Sequence, residues 1–131
     1  MINTTLPVLE KELDEAAKKI VVNKRTIKVK IDTSVLAEKR WEENFSNNAK
    51  TETLFNYVER IQKAGITDAV RVLSGLKAIY CFIVSDEIEN YDAFLQLFDL
   101  ADTEYLKELV NKIKFVFDIA LNTATTDAKN S

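Results

Sequence analysis

The densest collection of groups that could do chemistry in this chain is acidic. Asp86, Glu87, Glu89 and Asp92 fall within seven residues, and neighbouring carboxylates are raw material for acid–base catalysis and for cation binding. Their order does not match a calcium loop, which needs regularly spaced oxygen ligands and a glycine at its sixth position. The rest of the chemical inventory is thin: the chain has no histidine, one cysteine and two glycines. Without imidazole, the side chain that titrates most readily near neutral pH is missing. A Ser-His-Asp or Cys-His arrangement cannot form, and zinc would find a single thiol. Acidic residues at a helix start are commonplace, so the expectation is no enzyme, no cofactor and no metal site.

A second concentration is basic. Lys24, Arg25, Lys28 and Lys30 form a ribbon, but the residues alternating with them are aliphatic, whereas strand surfaces that bind single-stranded RNA interleave aromatic rings for stacking. Outward lysines that discourage edge-to-edge aggregation explain the ribbon better, and nucleic acid is not expected as a partner. The two halves of the chain differ in charge. Residues 1–65 carry 12 bases against 10 acids, and residues 66–131 carry 6 against 11. The acidity is concentrated between Asp86 and Glu108, a face suited to a basic partner.

The remaining chemistry is apolar. Trp41 and Phe45 flank the charged run Glu38, Lys39, Arg40, Glu42 and Glu43, and Phe94, Leu95, Leu97 and Phe98 crowd a short segment. Large aromatics usually belong to a core. The alternative is a partly open groove that takes an amphipathic helix, and Trp41, Phe45, Phe94 and Phe98 are the candidate partner-binding residues.

The elements that must carry these side chains read as mostly helical. Thr5 caps a first helix, with Pro7 in its opening turn and Leu6, Leu9, Leu13, Ala16, Ala17 and Ile20 on one stripe. Ile27, Val29 and Ile31 then alternate with Thr26, Lys28 and Lys30, the pattern of a half-buried strand, with Ile20–Val22 as a hairpin partner turning at Asn23-Lys24. Asp32, Thr33 and Ser34 offer caps for a helix from Val35 to Phe45. A third helix from Thr51 buries Leu54, Tyr57, Val58 and Ile61, and Gly65 stands where a left-handed terminating residue is expected. Thr67 caps a fourth helix with stripe Ala69, Val72, Leu73, Leu76, Ile79, Tyr80 and Ile83, whose register is expected to carry through Val84. A short helix spans Tyr91 to Asp99. Asp102 caps a last long helix with Leu106, Leu109, Val110, Ile113, Phe117 and Ala120 inward. The fold class is therefore mostly α, a compact bundle of about six helices with a minor β-hairpin or single strand near residues 20–32. One domain is expected over residues 1–122, followed by a disordered tail over 123–131.

Cys81 lies inside an apolar run and has no partner in the chain, which fits a reducing compartment. The first ten residues lack a basic region followed by a long apolar run. The longest apolar stretch, Ala78 to Val84, falls far short of the ~18 residues of a membrane span. A cytoplasmic protein with no membrane contact is expected.

The stretch from Lys28 to Ile61, KVKIDTSVLAEKRWEENFSNNAKTETLFNYVERI, resembles the tail assembly chaperones of long-tailed phages and prophages of Gram-positive bacteria. The likeness lies in a short strand, then Asp32-Thr33-Ser34, then a helix carrying Ala37 through Phe45, then a second amphipathic helix. It implies a non-enzymatic role in the host cytoplasm: binding the long, helical, aggregation-prone tape measure protein until the tail tube polymerises around it. It also implies a frameshifted longer form that recruits tail tube protein, and the residues after Asn122 would suit such a junction. A homo-oligomer is compatible with this role. The alternative is a small structural virion protein, a head-tail connector or tail-completion subunit.

Overall fold

A computed structural model of the chain describes residues 1–122 with their side chains and follows the backbone to Asn130. Two strands of 13 residues, β1 (Ile2–Asp14) and β2 (Lys19–Ile31), pair antiparallel with Ile2 opposite Ile31 and Asp14 opposite Lys19. A two-residue β3 (Ile83–Val84) pairs with the end of β2, giving the order β1-β2-β3. Among the described residues six helices follow or interleave: α1 (Val35–Asn44), α2 (Ser46–Ala49), α3 (Leu54–Ala64), α4 (Ala69–Phe82), α5 (Tyr91–Leu95) and α6 (Thr103–Asn130).

This corrects the expected fold class. The chain is not a mostly α bundle with a minor β-hairpin near residues 20–32. A three-stranded antiparallel sheet forms one layer, and the segment expected as the first helix is its edge strand. The physical reason lies in how β1 is covered. Leu6 and Val8 face the helical core together with Ile27, Val29 and Ile31, while Pro7 and Leu9 on the opposite face are also buried. A strand covered on both faces loses the alternation of period two, and Leu6, Leu9 and Leu13 then mimic a helical stripe.

Pro7 fits this strand without loss. Its carbonyl accepts from the Tyr105 hydroxyl at 2.8 Å, and the Leu9 N–H donates to the Leu97 carbonyl at 2.8 Å. Backbone groups of this parity point away from β2, so the N–H that proline lacks would have made no ladder bond. The hairpin turns at residues 15–18, not at Asn23-Lys24. No glycine is present there; Lys18 takes the positive φ of 54°, and the Asp14 carboxylate accepts from the Ala17 N–H at 3.1 Å. Asp14–Lys18 and Glu15–Lys19, spaced as ion pairs would be on a helix, lie in and beside this turn.

The helices follow their signals more closely. Ser34 caps α1, its hydroxyl accepting from Leu36 N–H at 3.2 Å. Thr53 caps α3, and Glu38, reaching across from α1, accepts from the next two orphan N–H groups, Leu54 at 2.9 Å and Phe55 at 3.2 Å. Gly65 ends α3 at φ 85°, a conformation open to glycine and strained for other residues. Asp68, not Thr67, caps α4. The α4 register stops at Phe82, and Ile83–Val84 become strand because β2 offers backbone partners there. Gly75 lets α4 approach α6: a Cβ at that position would sit 3.1 Å from Ile113 Cγ2. Between sheet and helices lies a core centred on Trp41, Phe82, Phe94 and Phe117. The tail expected over residues 123–131 falls outside the fully described residues.

Candidate functional site

The four aromatic candidates are brought together, but as core. Trp41 and Phe94 are fully buried and Phe45 nearly so, while Phe98 is half-buried. Trp41 meets Phe45 at a ring-centroid distance of 5.5 Å, Phe45 meets Tyr91 at 4.9 Å, and Phe94 meets Phe98 at 4.9 Å. Tyr80 bridges the two ends, 6.5 Å from Phe45 and 5.4 Å from Phe94. The Trp41 indole N–H donates to the Glu52 carbonyl at 3.1 Å, satisfying the one polar atom of that ring. This row of rings joins α1 to α4 and α5 and spends most of its surface within the chain.

The two charge concentrations also meet each other. Lys24 pairs with Glu108 on α6, and Arg25 pairs with Glu10 and, at 3.3 Å, with Glu87. Lys11 binds Asp99 at 2.9 Å, which holds the Asp99 carboxyl below the usual carboxylate range through that contact and the Ala101 N–H. Part of the acidic stretch thus meets part of the basic ribbon, and these contacts tie the hairpin to α6 and to the loops on either side of α5, while Lys28, Lys30, Asp86, Glu89 and Asp92 make no ion pair among the described residues. Among the described residues no group of three or more His, Cys, Asp or Glu side chains is placed to hold a metal ion. The remaining titratable groups of interest are structural. Burial pushes the Cys81 thiol up to about 12, which keeps it protonated and poorly nucleophilic at neutral pH. Burial likewise raises the Tyr57 and Tyr105 hydroxyls, each of which donates to a backbone carbonyl, those of Ser74 and Pro7.

Apolar surface stays open in several places, Val35, Leu36, Val70, Leu73 and Phe115 among them, and in two further places it forms a continuous feature. The first is a groove of about 470 Å³ between the start of α4 and the outer side of α6, with Ile66 and Val72 as its floor and Leu106 and Val110 on its wall. Lys107 and Lys114 stand on its α6 rim, exposed and without an ion-pair or hydrogen-bond partner among the described residues. It runs on towards Gln62 and Asp118, where a further 230 Å³ opens beside the same Ile66 and Lys114. Gln62 donates to Asp118 at 2.6 Å, and its own amide oxygen is buried with no partner. The sequence placed Leu106 and Val110 inward. In the structure Leu109, Ile113, Phe117 and Ala120 are buried as expected and Tyr105 and Val116 join them, whereas Leu106 and Val110 are only half-covered.

The second is the outer half of the hairpin. Beyond Glu10 and Lys24 both strands are mostly exposed; Leu13 is 66% and Ile20 65% exposed, directly opposite one another, and Val22 on the same face is 49% exposed. Leu13 and Ile20, expected on one stripe of a first helix, stand instead on these strands. The alternation Ile20-Val22 was the only sequence signal that these positions belong to a strand. No helix among the described residues is long and apolar enough to cross a membrane.

A scan against protein-family models and searches of curated proteins and of solved structures find no match to the chain.

Proposed function

We propose that this chain is a non-enzymatic assembly factor that holds an apolar, helical protein client, and that the client is the tape measure protein of a long-tailed phage, bound in the host cytoplasm before the tail tube forms. The observation that carries the client-binding part is the α4–α6 groove: an apolar floor and wall, Ile66, Val72, Leu106 and Val110, under a rim of two lysines with no partner among the described residues. Such a groove suits an amphipathic helix that lays its apolar stripe on the floor and acidic residues against the rim. The tail-assembly part rests on the resemblance of residues 28–61. A factor that works without nucleotide must release what it holds, and modest affinity summed over many copies along a long client provides both retention and release.

The test is co-expression with the tape measure protein of the same phage or prophage. A soluble complex is expected with the wild-type chain, and precipitation with the Leu106→Asp/Val110→Asp double variant, whose own fold is followed by circular dichroism. Equal precipitation of the client with and without the chain refutes the reading, as does finding the chain in purified virions.

A further inference from the structure

We infer that the helix held in the α4–α6 groove carries two acidic residues seven positions apart on the flank that faces α6, and no acid on its other flank. This rests on the client reading above and specifies the sequence pattern that a client segment must have. Lys107 and Lys114 are seven residues apart on α6, so they stand nearly in line, two turns and about 10 Å apart. Both are exposed and without a partner among the described residues. The lining along α6 runs from Thr103 to Asp118, about 22 Å, which takes about 16 residues of a client helix lying along it. On such a helix, residues at i and i+7 also share one line two turns apart and match both ammoniums at once.

The rest of the lining limits the pattern. Asp118 follows Lys114 by one turn on the same side of α6, exposed and accepting from the Gln62 amide at 2.6 Å, so a third acid in the row is repelled. Across the groove, the side formed by the start of α4 presents Thr67 and Asp68. Asp68 accepts from the Arg71 N–H at 2.9 Å and lies 3.9 Å from the Arg71 guanidinium, so its charge is offset, yet it offers an acid no attraction. A helix with its acids on one flank therefore fits in a single direction. Turned end for end, it sets those acids against Asp68 and leaves both lysines bare. The apolar floor and wall hold amphipathic helices in general, and the charges choose among them and fix their direction.

The test is fluorescence anisotropy of the full chain with three synthetic amphipathic helices of about 16 residues. They share one leucine stripe and differ at two positions seven apart on one flank, where both residues are Glu, Gln or Lys. All three are expected to bind. The Glu peptide is expected to bind on the order of tenfold tighter than the Lys peptide at low ionic strength, with the gap closing as salt is added. Placing the two Glu five positions apart turns them to different faces and is expected to lose most of that gain. Against Lys107→Glu/Lys114→Glu, with its fold followed by circular dichroism, the order of Glu and Lys peptides is expected to reverse. Equal affinities for the three peptides, or an order that survives the double reversal, overturns the inference and leaves the apolar groove as a client site. If none of the peptides binds, the groove reading falls and this inference with it.

Discussion

Replacing Asp32 by alanine probes the joint on which the sheet and helices meet. Asp32 is 4% exposed. Its carboxylate accepts from the Ser34 N–H at 2.9 Å and from the Arg40 guanidinium at 3.2 Å, and Arg40 in turn donates to the Cys81 carbonyl at 2.6 Å. The Asp32 N–H donates to the Phe82 carbonyl at 2.6 Å. One residue thus links the end of β2, the start of α1 and the end of α4. Removing one partner of a buried pair costs about 3–5 kcal/mol, because the other charge is left uncompensated. The Arg40 side chain is 24% exposed, so water recovers part of this, and about 2–3 kcal/mol is expected. In a domain held by roughly 5–15 kcal/mol, that lowers the melting temperature by about 10 °C. Urea unfolding at pH 7 reads the loss directly, with an unchanged denaturant slope. The pH dependence supplies a second check. Burial alone would raise the Asp32 carboxyl, but hydrogen bonds from Ser34 and the Arg40 charge outweigh it and hold the carboxyl below its ordinary value of 3.8. A depressed carboxylate contributes fully above its unfolded value and loses that contribution as pH falls through the folded one. Wild-type stability should therefore decline below about pH 4, with a shallower decline in Asp32→Asn. A loss under ~0.5 kcal/mol in Asp32→Ala, together with identical acid limbs, would refute this account of the joint.

Three further outcomes are expected. Cys81, with its thiol pushed up to about 12 and its side chain buried, should resist alkylation at pH 8 in the native state and react within minutes in denaturant; equal rates would place it at the surface. Tyr105→Phe removes the hydroxyl that satisfies the Pro7 carbonyl and should cost about 1–2 kcal/mol in chemical denaturation, whereas no loss would mean that this carbonyl finds another donor. Gly65→Ala forces a side chain to φ 85° and should destabilise by about 1–2 kcal/mol. A neutral or stabilising result in thermal melts would show that the end of α3 relaxes freely.

The helical half of the fold is legible in the sequence because its signals are local. Ser34 and Asp102 as caps, Gly65 and the Leu54, Tyr57, Val58 and Ile61 stripe each act within a turn or two of chain, and the structure uses these as read, although Asp68 takes the cap expected of Thr67. The first strand is not legible, because its pattern depends on what covers it. Leu9 is buried through contact with residues near position 97, and Pro7 through Tyr105, partners about 90 positions away. The end of α4 fails for the same reason: Ile83 and Val84 have the register of a helix, and only the neighbouring β2 makes them strand. For the candidate site, residue type favoured a core place for the large rings and left a partner groove as the alternative, and the structure gives most of the surface of Trp41, Phe45 and Phe94 to the core. The groove depends on the rotation of α6, set by Gly75 against Ile113 and by Tyr105 reaching β1, and such long-range contacts leave no periodic trace.

The central claim is that a client helix lies in the α4–α6 groove. Hydrogen–deuterium exchange of the chain, free and in complex with a soluble apolar segment of the tape measure protein, tests it most directly. Slowed exchange is predicted at residues 66–72 and along the Thr103–Asp118 stretch of α6, with residues 41–45 and 94–98 already protected in both states. Protection confined to other elements, or a segment that leaves the exchange of the groove unchanged at saturating concentration, would contradict it.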